Sequence, residues 1–225
     1  TSAAVLSSLV SKGYIFLLMK IMYRVIGLDV IVSTGIQDVL FVFALVGMVM
    51  GSISAIRQTD IRRMIAFSSV AQIGYVFMGI GLGTDEGMMA AMFHIFSHAV
   101  CKSMLFLAAG GLADASNNSK KFRDLRGAGF RSPIAGVAFT IGALSMVGFP
   151  FLGGFASKLN FALAAMDVGG ARTMLVLITL AISTWLNTLY FLRTVITLYR
   201  KPVPGAVYSV ARGQRGFCFN ASLVA

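Results

Sequence analysis

The sequence is poor in charged residues, and acidic residues are the scarcest of them. Asp, Glu, Lys and Arg make up only 12% of the 225 residues, and Asp and Glu together number 8. A soluble domain carries about 25% charged residues. With 57% hydrophobic residues, this balance excludes an ordinary soluble domain. It predicts a protein that crosses a membrane several times.

Cysteine-based and nucleotide-binding motifs are also missing. The two cysteines, Cys101 and Cys218, lie far apart, and no CxxC pair or Cys/His cluster has the spacing of a zinc or iron–sulfur site. No phosphate-binding loop and no GxGxxG motif after a strand is present. We therefore expect no cofactor, no metal and no redox centre in this chain, so an enzymatic role would belong to a larger complex.

The excess of basic residues has a topological explanation. The net charge is +11, but the basic residues lie in short loops between apolar runs, as in the positive-inside pattern of membrane proteins. We therefore exclude nucleic acid as a partner and expect a multi-pass protein of the cytoplasmic membrane, with both ends of this segment cytoplasmic. The basic side holds Arg57, Arg62, Arg63, Lys120, Lys121, Arg123, Arg126, Arg131, Arg200, Lys201, Arg212 and Arg215; the other side holds Asp29, Asp85, Glu86, Asp167 and Arg172, with Arg24 at its edge.

Long apolar runs divide the chain into about six predicted transmembrane helices, which makes the fold class an all-α polytopic membrane bundle. We assign residues 1–201 to a transmembrane domain and residues 202–225, which lack periodicity, to an irregular tail. The chain begins with Thr1 and shows no signal-peptide pattern, so we expect it to be a piece of a longer protein. The crossings run over residues 2–26, 38–56, 64–83 and 88–112, then from about 133, and over 174–199.

The fourth crossing contains three ionisable residues at helical spacing. His94, His98 and Lys102 follow each other at intervals of four and therefore share one face of a helix. Charged groups at membrane depth are costly and almost always face a protein interior or a water-filled path. Histidines exchange protons near neutral pH, and a desolvated lysine can join them. The pattern indicates a proton relay; the alternative is that these residues only form packing hydrogen bonds.

Two further lysines interrupt other crossings. Lys12 lies in the middle of the first crossing, whereas Lys20 and Arg24 lie near its end and can reach the interface. Lys12 is therefore the functional candidate, and the other two are expected to be anchors.

The fifth crossing contains the sequence GFPFLGGFASK, which predicts a helix break at membrane depth. Pro150 removes a backbone donor, and Gly148, Gly153 and Gly154 lower the cost of unwinding. Broken helices are tolerated in a membrane only where they line protein or a cavity. Lys158 beside the break is therefore a candidate for the end of the relay. The alternative is a simple proline kink with a lysine near a helix end.

Four segments in order resemble one family, the proton-conducting antiporter-like membrane subunits of complex I, Mrp-type cation/proton antiporters and membrane-bound hydrogenases. The segments are LSSLVSKGYIFLLMKIMYR, QTDIRRMIAFSSVAQIGY, HIFSHAVCKSMLFLAAGGL and GFPFLGGFASK. The resemblance covers about residues 1–200. It implies two inverted five-helix repeats, each with a broken helix, of which this chain resembles the second half, the family's eighth to thirteenth helices.

The resemblance also implies roles for individual residues. Lys12 is similar to the family's bridging residue, His94, His98 and Lys102 to its central relay, and Lys158 to its exit residue. The loop residues Asp60 and Arg62 match a family motif with an expected structural role.

The chain departs from the family pattern in two ways. The family's glutamate and lysine of the first half would lie upstream of this chain, which leaves the input pair outside it. Phe151 stands where the family's break usually has a second proline.

Three hypotheses follow for the function. The first is translocation of protons, or of protons and sodium ions, by a membrane subunit that works with other membrane subunits in the lipid bilayer. The second is a redox subunit with its own quinone or metal site, which the missing cofactor motifs disfavour. The third is a non-conducting structural subunit or truncated relic.

Overall fold

Helices account for almost all of the structure. A computed structural model describes residues 2–202, of which the side chains of residues 2, 3, 8, 9 and 28 are not described. Within these residues the only β-type pairing is an isolated bridge between Asp60 and Lys121. The predicted tail 202–225 lies outside the described residues except for Pro202. The helices are α1 (four contiguous segments, Ser2–Val5, Leu6–Val10, Ser11–Lys20 and Ile21–Ile26), α2 (Leu28–Thr34), α3 (Ile36–Ile56), α4 (Ile61–Gly81), α5 (Asp85–Asp114), α6 (Ala128–Arg131), α7 (Pro133–Val147), α8 (Gly153–Val168) and α9 (Gly170–Tyr199).

The prediction of a polytopic helical membrane bundle is confirmed. Helices α3, α4, α5 and α9 are long and apolar enough to cross a membrane, and α7 is a shorter apolar helix. Helices α7 and α8 together form the broken crossing, with residues 148–152 between them. Helix α1 covers the first predicted crossing, although its segments Leu6–Val10 and Ile21–Ile26 are π-helical.

Two helices begin earlier than predicted because polar residues cap them. The Asp60 carboxylate accepts hydrogen bonds from the backbone N–H groups of Arg62 and Arg63, so α4 begins at Ile61, inside the stretch predicted as a loop. Thr84 caps α5 in the same way through the N–H of Gly87. Asp85 and Glu86, which precede the predicted crossing 88–112, therefore lie in the first turn of α5, where acidic side chains are favoured by the helix dipole.

Helix α5 lies at the centre of the bundle and packs against α1, α4, α7 and α8, whereas α3 and α4 form a tight antiparallel pair. Small residues allow this close approach: a Cβ atom on Gly51 would lie 2.6 Å from the backbone nitrogen of Ala71. Large apolar side chains cover the outside, such as Phe43, Val100 and Trp185, which are 72%, 70% and 66% exposed. Such a surface is suited to lipid or to neighbouring membrane helices.

Candidate functional site

A layer of buried polar side chains separates two apolar clusters in the bundle. In α5, one cluster contains Ile95 and the other contains Leu105, and His98 and Lys102 lie between them. Along each of the other crossings, polar residues likewise lie between residues of one apolar cluster and residues of the other. Each crossing therefore contributes polar residues to the same layer of the bundle. We call this set the polar layer: the buried residues Lys12, Ser52, Ser68, Ser69, Gln72, His98, Lys102, Ser157, Ser183 and Asn187, the partly buried Lys158, and His94 at its edge.

Lys102 is fully buried in the polar layer, with 0% of its surface exposed. Its ammonium group donates hydrogen bonds to the Ser68 hydroxyl and to the backbone carbonyl of Ile65, the latter at 2.9 Å. The Phe191 ring lies below it, with its centroid 5.9 Å from Nζ. Because both hydrogen-bond acceptors are neutral, the Lys102 side chain is held in place without forming an ion pair.

The two histidines form a stacked pair next to Lys102. The His94 and His98 rings are nearly parallel, with their centroids 5.6 Å apart, and the Tyr75 ring also stacks with His94, at a centroid distance of 5.4 Å. The Nδ1 atom of His94 lies 2.6 Å from the Ser157 hydroxyl of α8. The Nε2 atoms of both histidines are buried and have no hydrogen-bond partner among the described residues.

A cavity of about 10 Å³ is lined by both histidines. That volume is about the size of one water molecule, and a water needs two to four polar partners to be held in a buried site. The cavity connects the histidine pair to Lys158. Its lining consists of Gln72, His94, Ser97, His98, Cys101, Ser145, Met146, Gly154 and Lys158.

Lys158 on α8 binds the end of α7 across the helix break. Helix α7 ends where Gly148 takes the left-handed conformation at a φ of 95°, and Phe151 also has a positive φ of 71°. The Lys158 ammonium donates hydrogen bonds to the carbonyls of Met146 and Val147, at 3.2 and 2.5 Å. These carbonyls belong to the last turn of α7, which has no intrahelical donors for them.

A series of polar contacts links Lys12 on α1 to Lys102 on α5. The Lys12 ammonium, on a side chain that is 6% exposed, donates to the carbonyl of Ser7 at 2.5 Å. The Ser7 hydroxyl lies 3.1 Å from that of Ser69, which in turn donates to the carbonyl of Ile65. That carbonyl is also an acceptor for Lys102. The five ionisable residues singled out in the sequence thus occupy one continuous region.

Sequence reasoning missed the neutral polar residues of the layer. Ser68, Gln72 and Tyr75 follow each other at intervals of four and three on α4, and Ser183, Asn187 and Tyr190 do the same on α9. Such spacing marks one helix face and could have identified them. Within residues 2–202, no group of three or more His, Cys, Asp or Glu side chains could hold a metal ion.

Comparison with protein families gives a match over most of the chain. The family described as "NADH:quinone oxidoreductase/Mrp antiporter, TM" matches residues 1–184. A subunit N of NADH-quinone oxidoreductase from Desulforudis audaxviator is 36% identical over 205 residues, which cover 90% of this chain and 40% of that protein. A subunit L from Buchnera aphidicola is 30% identical over 178 residues, which cover 77% of this chain and 28% of that protein.

Two solved membrane complexes contain chains with a similar fold. A chain of the membrane-bound sulfane sulfur reductase, an archaeal respiratory membrane complex, superposes with a TM-score of 0.82 at 28% identity, over 98% of this chain and 44% of that one. A chain of the Mrp complex from Dietzia sp. gives a TM-score of 0.65 at 28% identity, over 75% of this chain and 31% of that one. The chain therefore spans less than half the length of these similar proteins.

Proposed function

This chain belongs to the NADH:quinone oxidoreductase/Mrp antiporter family of membrane subunits, and we propose that it carries protons through its polar layer as part of a subunit in a complex of that kind. The proton carriers are Lys12, His94, His98, Lys102 and Lys158. The relatives with solved structures are parts of multisubunit membrane complexes, and we extend that assembly with other membrane subunits to this chain.

The observation that carries the proposal is the continuity of the polar layer at Lys102. This lysine is fully buried, lies next to the stacked histidine pair on α5, and shares the Ile65 carbonyl with the contacts that lead to Lys12. A charge at membrane depth is expensive and marks an ion or proton pathway. A purely structural lysine would not require four further ionisable residues within the same layer and at its edge.

The chemistry of the layer favours protons over sodium ions. Sodium is a hard cation and binds to oxygen ligands, most strongly to carboxylates. The chain has 8 acidic residues, and none is among its buried polar or charged side chains. Lysine and histidine instead accept and release protons. We therefore assign proton transfer to this stretch of the subunit.

Transfer to Lys158 requires a bridge, since Ser157, and not Lys158, contacts the histidine pair directly. The cavity lined by His94, His98 and Lys158 supplies the space for one bridging water. The carbonyls that Lys158 binds belong to the last turn of α7, next to the break, where water can reach more readily than within a continuous helix. Lys158 is therefore the proposed exit from the buried row.

We place the protein in the cytoplasmic membrane, with both ends of residues 1–201 facing the cytoplasm. The support is the charge pattern: the loop between α3 and α4 and the stretch from Lys120 to Arg131 are basic, whereas the turn before α5 is acidic. Residues 1–201 would form the transmembrane domain, and residues 202–225 would form an irregular tail.

The test is a comparison of Lys102→Ala with Lys20→Ala in the full-length protein within its assembled complex, reconstituted in proteoliposomes. Lys102 is central and fully buried, whereas Lys20 is exposed. We expect Lys102→Ala to abolish proton transport while the complex still assembles, and Lys20→Ala to retain it. Retained transport in Lys102→Ala, or equal losses in both variants, would favour the non-conducting structural subunit instead.

A further inference from the structure

Gln72 is a buried amide of α4 that the proposed proton row does not use. Its side chain is 2% exposed, and its amide nitrogen is buried without a hydrogen-bond partner among the described residues. The Nε2 atoms of His94 and His98 are buried and unpaired in the same sense. Buried polar groups in native proteins are nearly always paired, with ordered water where protein groups do not reach. Three unpaired nitrogens in one layer therefore indicate a common partner.

One cavity is common to the three residues that carry these nitrogens. The cavity of about 10 Å³ described above is lined by Gln72, His94 and His98, and also by Lys158. It has room for about one water molecule, which accepts two hydrogen bonds and donates two. The amide, the two imidazole rings and the lysine supply four partners. The cavity thus has both the volume and the polar lining that a buried water needs.

The lysine contributes the position on its nitrogen that is not used at the helix break. An ammonium group carries three N–H donors, and within residues 2–202 Lys158 uses two of them for the carbonyls of Met146 and Val147. When the third proton leaves, the neutral amine keeps both of these N–H groups and offers a lone pair in the third direction. Lys158 can therefore lose and regain a proton without releasing the end of α7.

We propose that Gln72 is a positioning residue for the proton step between the histidine pair and Lys158, and that its amide N–H donates a hydrogen bond to a water molecule in this cavity. The amide fills one of the two acceptor positions of the water in every state of the step. The other acceptor position takes the N–H of whichever nitrogen is protonated: His94 Nε2, His98 Nε2 or Lys158 Nζ. The two protons of the water then point at the two nitrogens that are unprotonated.

The step is balanced without any further group. A protonated histidine gives its Nε2 proton to the water oxygen, and the water passes one of its own protons to the neutral amine of Lys158. The histidine becomes neutral, the lysine becomes charged and the water is regenerated. When His94 is neutral, its remaining proton lies on Nδ1, where the Ser157 hydroxyl can accept it. This inference rests on the proposed function, because the position of the water matters only if protons pass through the row.

Titratable groups surround the histidine pair on four helices, and none of them is a carboxylic acid. They are Lys12 on α1, Tyr75 on α4, Cys101 and Lys102 on α5, and Lys158 on α8. Helix α7 also packs against α5 but has no titratable side chain. A carboxylate in place of the Gln72 amide would therefore be the first acidic group in these surroundings.

The experiment measures proton transport as a function of pH in the intact complex, reconstituted in proteoliposomes, together with thermal unfolding. Gln72→Met keeps the length of the side chain but removes the amide, and we expect transport to fall about tenfold. The unfolding midpoint should stay the same, because the amide nitrogen binds no group of the described chain. Gln72→Glu introduces a carboxylate that favours the charged histidines and lysine, so the alkaline limb of the profile should move up by about one pH unit.

Gln37→Met is the matched control. Gln37 is also a buried glutamine, 5% exposed, and its amide oxygen is likewise unpaired among the described residues. It lies in the first turn of α3 beside Gly83 and does not line the cavity. We expect its transport to match that of the unmodified protein.

The outcomes separate this inference from the proposed function. Equal transport in Gln72→Met and Gln37→Met, or an unmoved pH profile in Gln72→Glu, rejects the positioning role. If one Gln72 variant does not assemble, the other decides. If Lys102→Ala leaves transport intact, the proposed function itself fails, whereas a defect in Lys102→Ala without one in Gln72→Met rejects only this inference. Independently of the variants, a high-resolution structure of the complex supports the role if a water binds the Gln72 amide, and rejects it if the cavity is dry.

Discussion

The ammonium group of Lys158 lies 2.5 Å from the carbonyl oxygen of Val147, the last residue of the helix on the other side of the break. One side chain therefore both closes a helix end and carries an ionisable group of the polar layer. A lysine bound in this way cannot move far from the break without leaving two carbonyls unpaired. The break and the ionisable group are thus expected to be functionally inseparable.

Substitutions of Lys158 test this dual role. Lys158→Leu removes the donor for the Met146 and Val147 carbonyls, at a cost of about 1–3 kcal/mol for each buried group that stays unpaired. We expect it to lose proton transport and to lower the midpoint of thermal unfolding. Lys158→Glu should keep partial transport, because a carboxyl group also passes protons. Transport and unfolding are measured on the same preparations, and equal transport in both variants would contradict the exit role.

The two glycines after the break should differ sharply in their tolerance of alanine. A Cβ atom on Gly154 would lie 1.7 Å from the carbonyl oxygen of Ser145, whereas one on Gly153 would meet the Ser97 hydroxyl at 2.8 Å. A hydroxyl can rotate away, but a backbone carbonyl cannot. We expect Gly154→Ala to destabilise the protein by at least about 3 kcal/mol and Gly153→Ala by much less. Unfolding midpoints in detergent provide the comparison, and similar midpoints would mean that α7 and α8 can separate easily.

Asp60 should stabilise the start of α4 through its capping hydrogen bonds. Asp60→Ala removes the acceptor for the Arg62 and Arg63 N–H groups, at an expected cost of about 1 kcal/mol. Asp60→Asn retains a capping oxygen and should be close to neutral. Thermal unfolding of the three proteins tests this ranking, and transport by the folded Asp60→Ala protein should be unchanged. A transport defect at full stability would instead indicate a direct role for this loop.

The hydrogen bond between His94 and Ser157 should matter for transport more than for folding. Ser157→Ala removes the partner of His94 Nδ1, which fixes the ring's orientation and tautomer. We expect transport to fall about fivefold, the factor that corresponds to about 1 kcal/mol. The control is Ser103→Ala on α5, since the Ser103 hydroxyl binds only the carbonyl of Ala99 on its own helix. Equal transport in the two variants would show that Ser157 only fills space.

The sequence was sufficient for the four helices that are long and apolar enough to cross a membrane, α3, α4, α5 and α9, because each is an apolar run bounded by polar residues. The ionisable residues were also visible, since a lysine such as Lys102 is rare in the middle of an apolar run. Ser157 was not, because neutral polar residues are common in membrane helices and a single one carries no signal. Asn187 could have been recognised only from its spacing with Ser183 and Tyr190 on one helix face. The partners of Lys158 could not be predicted either. They are backbone carbonyls, which every residue has, and only the packing of α8 against α7 selects them.

The position of the histidines along α5 has an electrical consequence. His94 and Lys102 are eight residues apart, which corresponds to about 12 Å along a helix, or about 40% of a hydrocarbon core of about 30 Å. Under the proposed orientation, α5 runs from the outer face towards the cytoplasm, so Lys102 lies deeper in the membrane field than His94. A potential that is negative inside would then favour the proton on Lys102 by up to about 0.9 kcal/mol per 100 mV. Lys12 and Lys102 lie in the same polar layer, so proton transfer between them would move little charge across the membrane field. The membrane potential would therefore act mainly on proton transfer between the histidines and Lys102.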